Sequence, residues 1–232
     1  MFSVDMHNGV AKATLLPKLQ PLLMYKLFLK RILDFVLAVI GFIILLPIFV
    51  VIWVILLFVN DGKPFFLQPR PGKDEKVFHI IKFKTMTDKK DESGNLLPDE
   101  LRVTKFGTFL RKSSLDEIPQ LISIIKGDMS LVGPRPLRVR YLPYYTEEEK
   151  VRHTVRPGVT GLAQISGRNL LDWDTRLQKD IEYVNRLSFA LDVEILYKTF
   201  LKVVSREDVA LDTEIGMPSF DDYRKAKAQQ QG

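Results

Sequence analysis

Asp116 and Glu117 are adjacent carboxylates in the stretch Arg111-Lys112-Ser113-Ser114-Leu115-Asp116-Glu117-Ile118-Pro119, and two readings compete for them. Ser114-x-x-Glu117 fits a capping box, in which serine and glutamate only satisfy the orphan amides of a helix start. With Ser114 as the cap, Pro119 falls past the first turn and costs a backbone hydrogen bond. A helix beginning near Asp116 instead puts Pro119 among first-turn positions, whose donors are unpaired anyway. Both acids then stand at a helix start, close to backbone amides and to Arg111 and Lys112. Such a setting suits a phosphate and a divalent ion together. Two carboxylates on one turn can divide the work, one as nucleophile and one holding metal. An acidic pair alone is weak, because most such pairs are solvated surface charge.

A second stretch adds weight. Gly127-Asp128-Met129-Ser130-Leu131-Val132-Gly133-Pro134-Arg135-Pro136 sets one arginine between two prolines. Each proline fixes its own φ and biases the residue before it toward extended backbone. Arg135 is thereby presented from a stiff segment, which suits bidentate phosphate binding, although a rigid turn with a solvent-facing arginine has the same pattern. Arg156 to Asn169, RPGVTGLAQISGRN, combines glycines with two arginines and reads as a close-approach loop for a polar ligand.

These segments need a scaffold, and its most distinctive part is apolar. Phe35 to Val59 is an unbroken apolar run, and about 20 such residues cross a hydrocarbon core as a helix. Lys26, Lys30 and Arg31 precede it, and Lys63, Arg70, Lys73 and Lys76 follow it. Positive flanks belong on the cytoplasmic side, and a simple span cannot put both there. Pro47 lies mid-run, where it kinks or breaks a helix. A helix that enters, turns near Pro47 and leaves by the same face satisfies both signals. A single-pass anchor with a tolerated proline is the alternative. A secretory signal peptide is not expected, since the run is too long and no small-residue cleavage site follows.

Composition narrows the function. There is no cysteine, which excludes disulfides, thiolate catalysis and cysteine-based zinc sites. Histidine is limited to His7, His79 and His153, too few for a histidine-rich metal site. A net charge of +6 points to a phosphate-rich partner, and the apolar run favours lipid and nucleotide. The order along the chain is an extension over 1–23, a membrane segment over 24–60, a catalytic domain over 61–208 and a tail over 209–232. Pro64, Pro69 and Pro71-Gly72 mark a turn region leaving the membrane. Lys76–Met86 suggests a strand or short hairpin, 88–100 a loop, and 221–232 a frayed end. Within 192–204, Leu196, Phe200, Val203 and Val204 share one helix face, expected to pack on the core; a membrane interface is the alternative.

The ordered set Lys30-Arg31-x-x-Asp34, KFKTM (Lys82–Met86), SLDEIPQL (Ser114–Leu121), KGDMSLVGPRPL (Lys126–Leu137), RPGVTGLAQISGRN and Asp180-x-x-Tyr183 resembles the bacterial sugar transferases. Within them it is most similar to the small monotopic phosphoglycosyl transferases that begin lipid-linked glycan assembly. The likeness covers about Met24 to Val204, and the combination is far more specific than any one motif. It implies a mainly α fold with a small β element, a re-entrant (helix-break-helix) N-terminal membrane helix, and a catalytic domain with interfacial amphipathic helices. The place it implies is the cytoplasmic face of a bacterial inner membrane.

The reaction implied is transfer of sugar 1-phosphate from a UDP-sugar to undecaprenyl phosphate, releasing UMP, with Mg²⁺. Asp116 matches the nucleophile that forms a covalent phosphosugar intermediate, and Glu117 the metal-associated residue. Lys82, Arg111, Arg135 and Arg168 match basic residues around the diphosphate or nucleotide; Lys30 and Arg31 match a pair suited to the lipid phosphate. Membrane lipids and downstream glycosyltransferases are the further partners. Leu46 departs from the serine that small members often carry before the membrane proline. Direct transfer in a ternary complex and a non-enzymatic membrane-tethered binding module are the competing readings. No nucleic-acid partner is expected, because no binding motif or aromatic-basic interleaving is present.

Overall fold

In a computed structural model of the chain, residues 24–167, 171–205 and 217–231 are described. A π-helical turn, Tyr25–Leu29, leads into helix α1, Lys30–Val59. Its 30 residues run about 45 Å, and helical structure continues through Pro47. The helix is long and apolar enough to cross a membrane, and only 11% of its most apolar window is buried inside the protein. Phe58 is 83% exposed, and Ile43, Ile44 and Val51 also face outward. An apolar face of this extent marks a contact surface for lipid or another protein.

The buried side of α1 is held along its whole length by one folded body. Ala38 packs on Phe78, Ile80, Ile124 and Met129. Further along, Ile52 and Leu56 pack on Phe83, Leu110 and Ile118. Near its start, Asp34 accepts hydrogen bonds from Ser130 Oγ at 2.6 Å and the Leu131 amide at 3.2 Å. Past its end, Asn60 Nδ2 donates to the Lys84 carbonyl at 2.7 Å.

Strands β1 (Phe65–Pro71) and β2 (Val77–Phe83) form an antiparallel hairpin, with Phe65 opposite Phe83 and Pro71 opposite Val77. The sequence reading expected a turn region where β1 lies. Pro69 and Pro71 are two residues apart, so both point their missing donors to the outer edge, the one strand position that tolerates proline. Helix α2 (Asp99–Arg102) precedes α3 (Lys105–Lys112), capped by Thr104, whose hydroxyl accepts from the Gly107 amide at 2.8 Å. A single 3₁₀ turn, Leu115–Glu117, then leads to α4 (Gln120–Lys126).

Strand β3 (Ser130–Val132) pairs in parallel with β4 (Gly158–Thr160), and the short helix α5 (Leu162–Ser166) follows. Helices α6 (Trp173–Arg186), α7 (Phe189–Ser205) and α8 (Phe220–Gln231) complete the described chain.

Two expectations are corrected here. The core face of α7 carries Leu191, Asp192 and Ile195, with Leu196 packed partly against it as expected, while Phe200 and Val203 are exposed with Phe189, Val193 and Tyr197. A buried charge network around Asp192 sets that orientation. The stretch expected to fray forms α8, anchored by Phe220 at 0% exposure among Tyr141, Tyr145 and Trp173.

Candidate active site

Asp116 and Glu117 sit on the 3₁₀ turn between α3 and α4. Ser114, just before it, has φ 55° and makes no side-chain cap bond, so the capping box does not form. The α-helix starts later than the sequence reading placed it, with Pro119 as the N-cap of α4. The carboxylates are therefore not used up in helix capping. Asp116 is buried, and Glu117 Oε1 accepts from Lys82 Nζ at 2.8 Å and Arg135 Nη2 at 3.1 Å. Lys82 Nζ also lies 3.9 Å from Asp116 Oδ2, so one ammonium from β2 faces both acids.

Arg111 reaches the same strand end, where its Nε donates to Thr85 Oγ1 at 2.8 Å. This contact depends on how closely α3 crosses the backbone after β2. A Cβ added at Gly107 would lie 2.0 Å from the Thr85 carbonyl oxygen. Gly107→Ala is expected to push α3 away, lowering stability by about 1–3 kcal/mol as overpacking does. A thermal-unfolding midpoint unchanged from the parent would contradict that close crossing.

Arg135 is fixed from both sides. Its guanidinium meets Glu117, and its carbonyl accepts from Arg152 Nη2 at 2.7 Å. Arg152 is buried and also binds Asp180 Oδ2 through Nε at 3.1 Å and Nη2 at 2.8 Å. Burial opposes the charge of Arg152, but the Tyr145 hydroxyl and Asp180 offset it and raise its pKa. The glycines around this turn serve backbone packing. A Cβ at Gly158 would stand 2.1 Å from the Gly133 amide nitrogen, so β4 can lie against the Pro134-Arg135-Pro136 turn only as glycine. The close approach read from RPGVTG is thus between two segments of this chain.

The remaining site expectations separate from this cluster. Lys30 Nζ is buried against Asp192 Oδ2 at 2.7 Å, which also accepts from the Tyr25 hydroxyl at 2.6 Å. Arg31 donates to the Ile124 and Ile125 carbonyls at 2.6 and 2.9 Å, where cations favour the C-terminal end of α4. Both residues thereby anchor α1 to the domain. Arg168 lies outside the described residues.

Arg152, which holds the Arg135 carbonyl, is the neighbour of the cluster that the sequence reading missed. Nothing local marks it, because Asp180 is 28 residues away. Beside it, burial and the Arg152 charge push His153 down to about 3 from 6.5. The folded state therefore refuses a proton that the unfolded state takes up below about 6.5, so stability falls with falling pH. The expected slope approaches 1.4 kcal/mol per pH unit between about 6 and 4. His153→Phe should flatten that limb in denaturant titrations, and an unchanged limb would contradict the assignment.

Asp116 and Glu117 are the carboxylates this cluster offers to a divalent ion. Among the described residues, no group of three or more histidine, aspartate or glutamate side chains forms an all-protein cage. Mg²⁺ commonly binds one or two carboxylates and completes its shell with water and substrate phosphates. Asp116 and Glu117 are neighbouring carboxylates of the kind that mode uses, with the Lys82 and Arg135 cations beside them.

A family model described as bacterial sugar transferase matches residues 25–206. The chain is 54% identical over 149 residues to the uncharacterized sugar transferase EpsL of Bacillus subtilis, covering 64% of this chain and 74% of that protein. It is 38% identical over 201 residues to the undecaprenyl-phosphate galactose phosphotransferase of Salmonella typhimurium, covering 79% of this chain and 42% of the relative. A Xanthomonas campestris UDP-glucose:undecaprenyl-phosphate glucose-1-phosphate transferase is 34% identical over 194 residues, covering 79% and 40%. The match thus spans about two-fifths of the longer relatives. The chain belongs to the bacterial sugar transferase family.

Proposed function

We propose that this chain transfers a sugar 1-phosphate from a UDP-sugar to undecaprenyl phosphate, releasing UMP, at the first membrane step of polysaccharide or other glycoconjugate assembly. The observation that carries the reading is the buried Asp116 beside Glu117, with Lys82 and Arg135 converging on the pair. The names of the Salmonella and Xanthomonas relatives supply the substrate class.

In the first half-reaction an Asp116 carboxylate oxygen attacks the sugar-bearing phosphorus. The bond from that phosphorus to the bridging oxygen breaks, and UMP leaves with the electron pair. In the second, a phosphate oxygen of the polyprenyl acceptor attacks the same phosphorus, and Asp116 departs as carboxylate. Lys82, Arg111 and Arg135 hold the anionic groups, and so does Arg168 on the resemblance. Magnesium, held by Glu117 with Asp116 adjacent, would offset charge on the phosphates. Splitting the transfer in two spares the pocket from holding both anionic substrates at once.

The membrane arrangement supports the same reading. Both ends of α1 are tied to one polar domain, through Asp34 and through Asn60. A polar body cannot lie in hydrocarbon, so a domain gripping both ends keeps them on one side of the bilayer. We infer a helix that enters and leaves by one leaflet, with the catalytic domain at the cytoplasmic face. The exposed apolar face of α7, Phe189, Val193, Tyr197 and Phe200, would rest in the interface next to Tyr25, whose ring contacts Phe189 at 5.8 Å. Acceptor phosphate would meet the partly exposed Arg31 before the buried Lys30.

The test is UMP release from UDP-glucose, UDP-galactose and UDP-N-acetyl sugars, with and without undecaprenyl phosphate and with EDTA. Lipid-dependent turnover with one donor, lost on chelation, is expected. Silence with every donor, unaffected by lipid or EDTA, would favour the binding-module reading.

A further inference from the structure

Helix α8 follows the region that the family model matches, yet it is built into the core beside the site. Phe220 is fully buried, with its ring 5.2 Å from Trp173, 5.5 Å from Tyr141 and 5.1 Å from Tyr145. Trp173 Nε1 donates to the Pro218 carbonyl at 2.9 Å, which fixes the approach to the helix. Along α8, Tyr223 donates to Asp174 at 2.7 Å, Lys227 pairs with Asp174, and Arg224 pairs with Glu149. These contacts fasten α8 to α6 and to the 3₁₀ segment Glu149–Thr154 that carries Arg152.

Tyr145 is the link inward. One side of its ring meets Phe220, and the Arg152 guanidinium lies 5.4 Å from its centroid. Its hydroxyl accepts from Arg152 Nη1 at 3.1 Å. Arg152 in turn holds the Arg135 carbonyl, and Arg135 reaches Glu117. The path from α8 to the carboxylates is thus a chain of packed rings and buried hydrogen bonds, of the kind that fixes a side chain by support from behind.

We infer that α8 is a clasp that sets the Pro134-Arg135-Pro136 turn, with Phe220 and Tyr145 as positioning residues acting through Arg152. Its basis in structure is independent of the reaction, while its kinetic consequence rests on the phosphoryl-transfer reading above. The clasp holds Arg135 at Glu117 before substrate arrives, so weakening it lowers turnover without removing any group that touches substrate.

The experiment uses the full chain in detergent or nanodiscs, with Phe220→Ala, Phe220→Leu and Tyr145→Phe. Tyr145→Phe keeps the ring and deletes only the hydroxyl, and it decides the matter with Phe220→Leu should Phe220→Ala fail to fold. Hydrogen exchange is followed in peptides covering residues 131–142, with the hairpin 65–83 as the internal reference. The expected result is faster exchange in 131–142 with the hairpin unchanged. Turnover should fall about tenfold for Tyr145→Phe, in kcat more than in donor KM, as expected for the loss of one buried hydrogen bond. Phe220→Leu, which keeps apolar bulk, should loosen 131–142 less than Phe220→Ala. Exchange unchanged in 131–142 while 217–231 loosens would overturn the clasp, whatever happens to activity. A uniform rise that includes the hairpin would also overturn it, reducing α8 to general stability. Local loosening in a chain inactive on every donor would keep the clasp and refute the reaction.

Discussion

Asp116→Asn is expected to lower lipid-dependent UMP release by at least about a thousandfold while leaving the fold intact. The substitution keeps the side chain's shape but removes the charge that makes it a nucleophile, and losses of this size are usual when a covalent catalyst is disabled. The asparagine is isosteric with the aspartate, and the 3₁₀ turn is also held by the packing of Ile118 and by Pro119 at the start of α4. The unfolding midpoint should therefore stay near that of the parent. Glu117→Gln is the informative companion, because Glu117 is gripped by Lys82 and Arg135 and is proposed to hold the metal. Added Mg²⁺ should partly restore Glu117→Gln and leave Asp116→Asn inactive. Substantial turnover by Asp116→Asn would return the chemistry to direct attack in a ternary complex.

Arg152→Met is expected to produce the largest loss of stability, about 3–5 kcal/mol, because it takes from the buried Asp180 its hydrogen-bonded charge partner. Burial already pushes the Asp180 carboxyl upward, with Arg152 the main opposing influence. Asp180→Leu together with Arg152→Met should recover much of the loss, since removing both charges also removes the cost of burying them. The double variant should nonetheless turn over slowly, because the Arg135 carbonyl has lost its donor. A stable double variant with parental kcat would show that Arg152 serves the fold alone. Chemical denaturation of the three proteins, read beside their steady-state rates, separates these outcomes.

Much of the site was legible in local sequence because its parts are local. Asp116 and Glu117 share one turn, Pro119 constrains where the next helix starts, and the two prolines around Arg135 stiffen it whatever lies behind. The apolar run was legible from composition, since a long lipid-facing helix needs few polar residues. The misread elements depend on distant partners. Strand β1 carries two prolines, and only its place at the outer edge of a two-stranded hairpin makes them acceptable. Helix α8 reads as a polar tail because its anchor, Phe220, stands just ahead of the charged stretch and packs on rings far away in sequence. The orientation of α7 follows from Asp192, a buried acid joined to Lys30, Tyr25 and Tyr183, and hydropathy alone points the wrong face inward. Lys30 and Arg31, matched on the resemblance to a pair suited to the lipid phosphate, also hydrogen-bond to α7 and α4, which local sequence does not show.

The decisive measurement is intact-protein mass spectrometry after mixing the chain with an active UDP-sugar and Mg²⁺ in the absence of undecaprenyl phosphate. The expected result is one adduct of sugar phosphate less water per chain, mapped to Asp116, formed with one equivalent of UMP and discharged on adding the lipid. An unmodified protein that releases UMP only when the lipid is present would contradict covalent catalysis by Asp116.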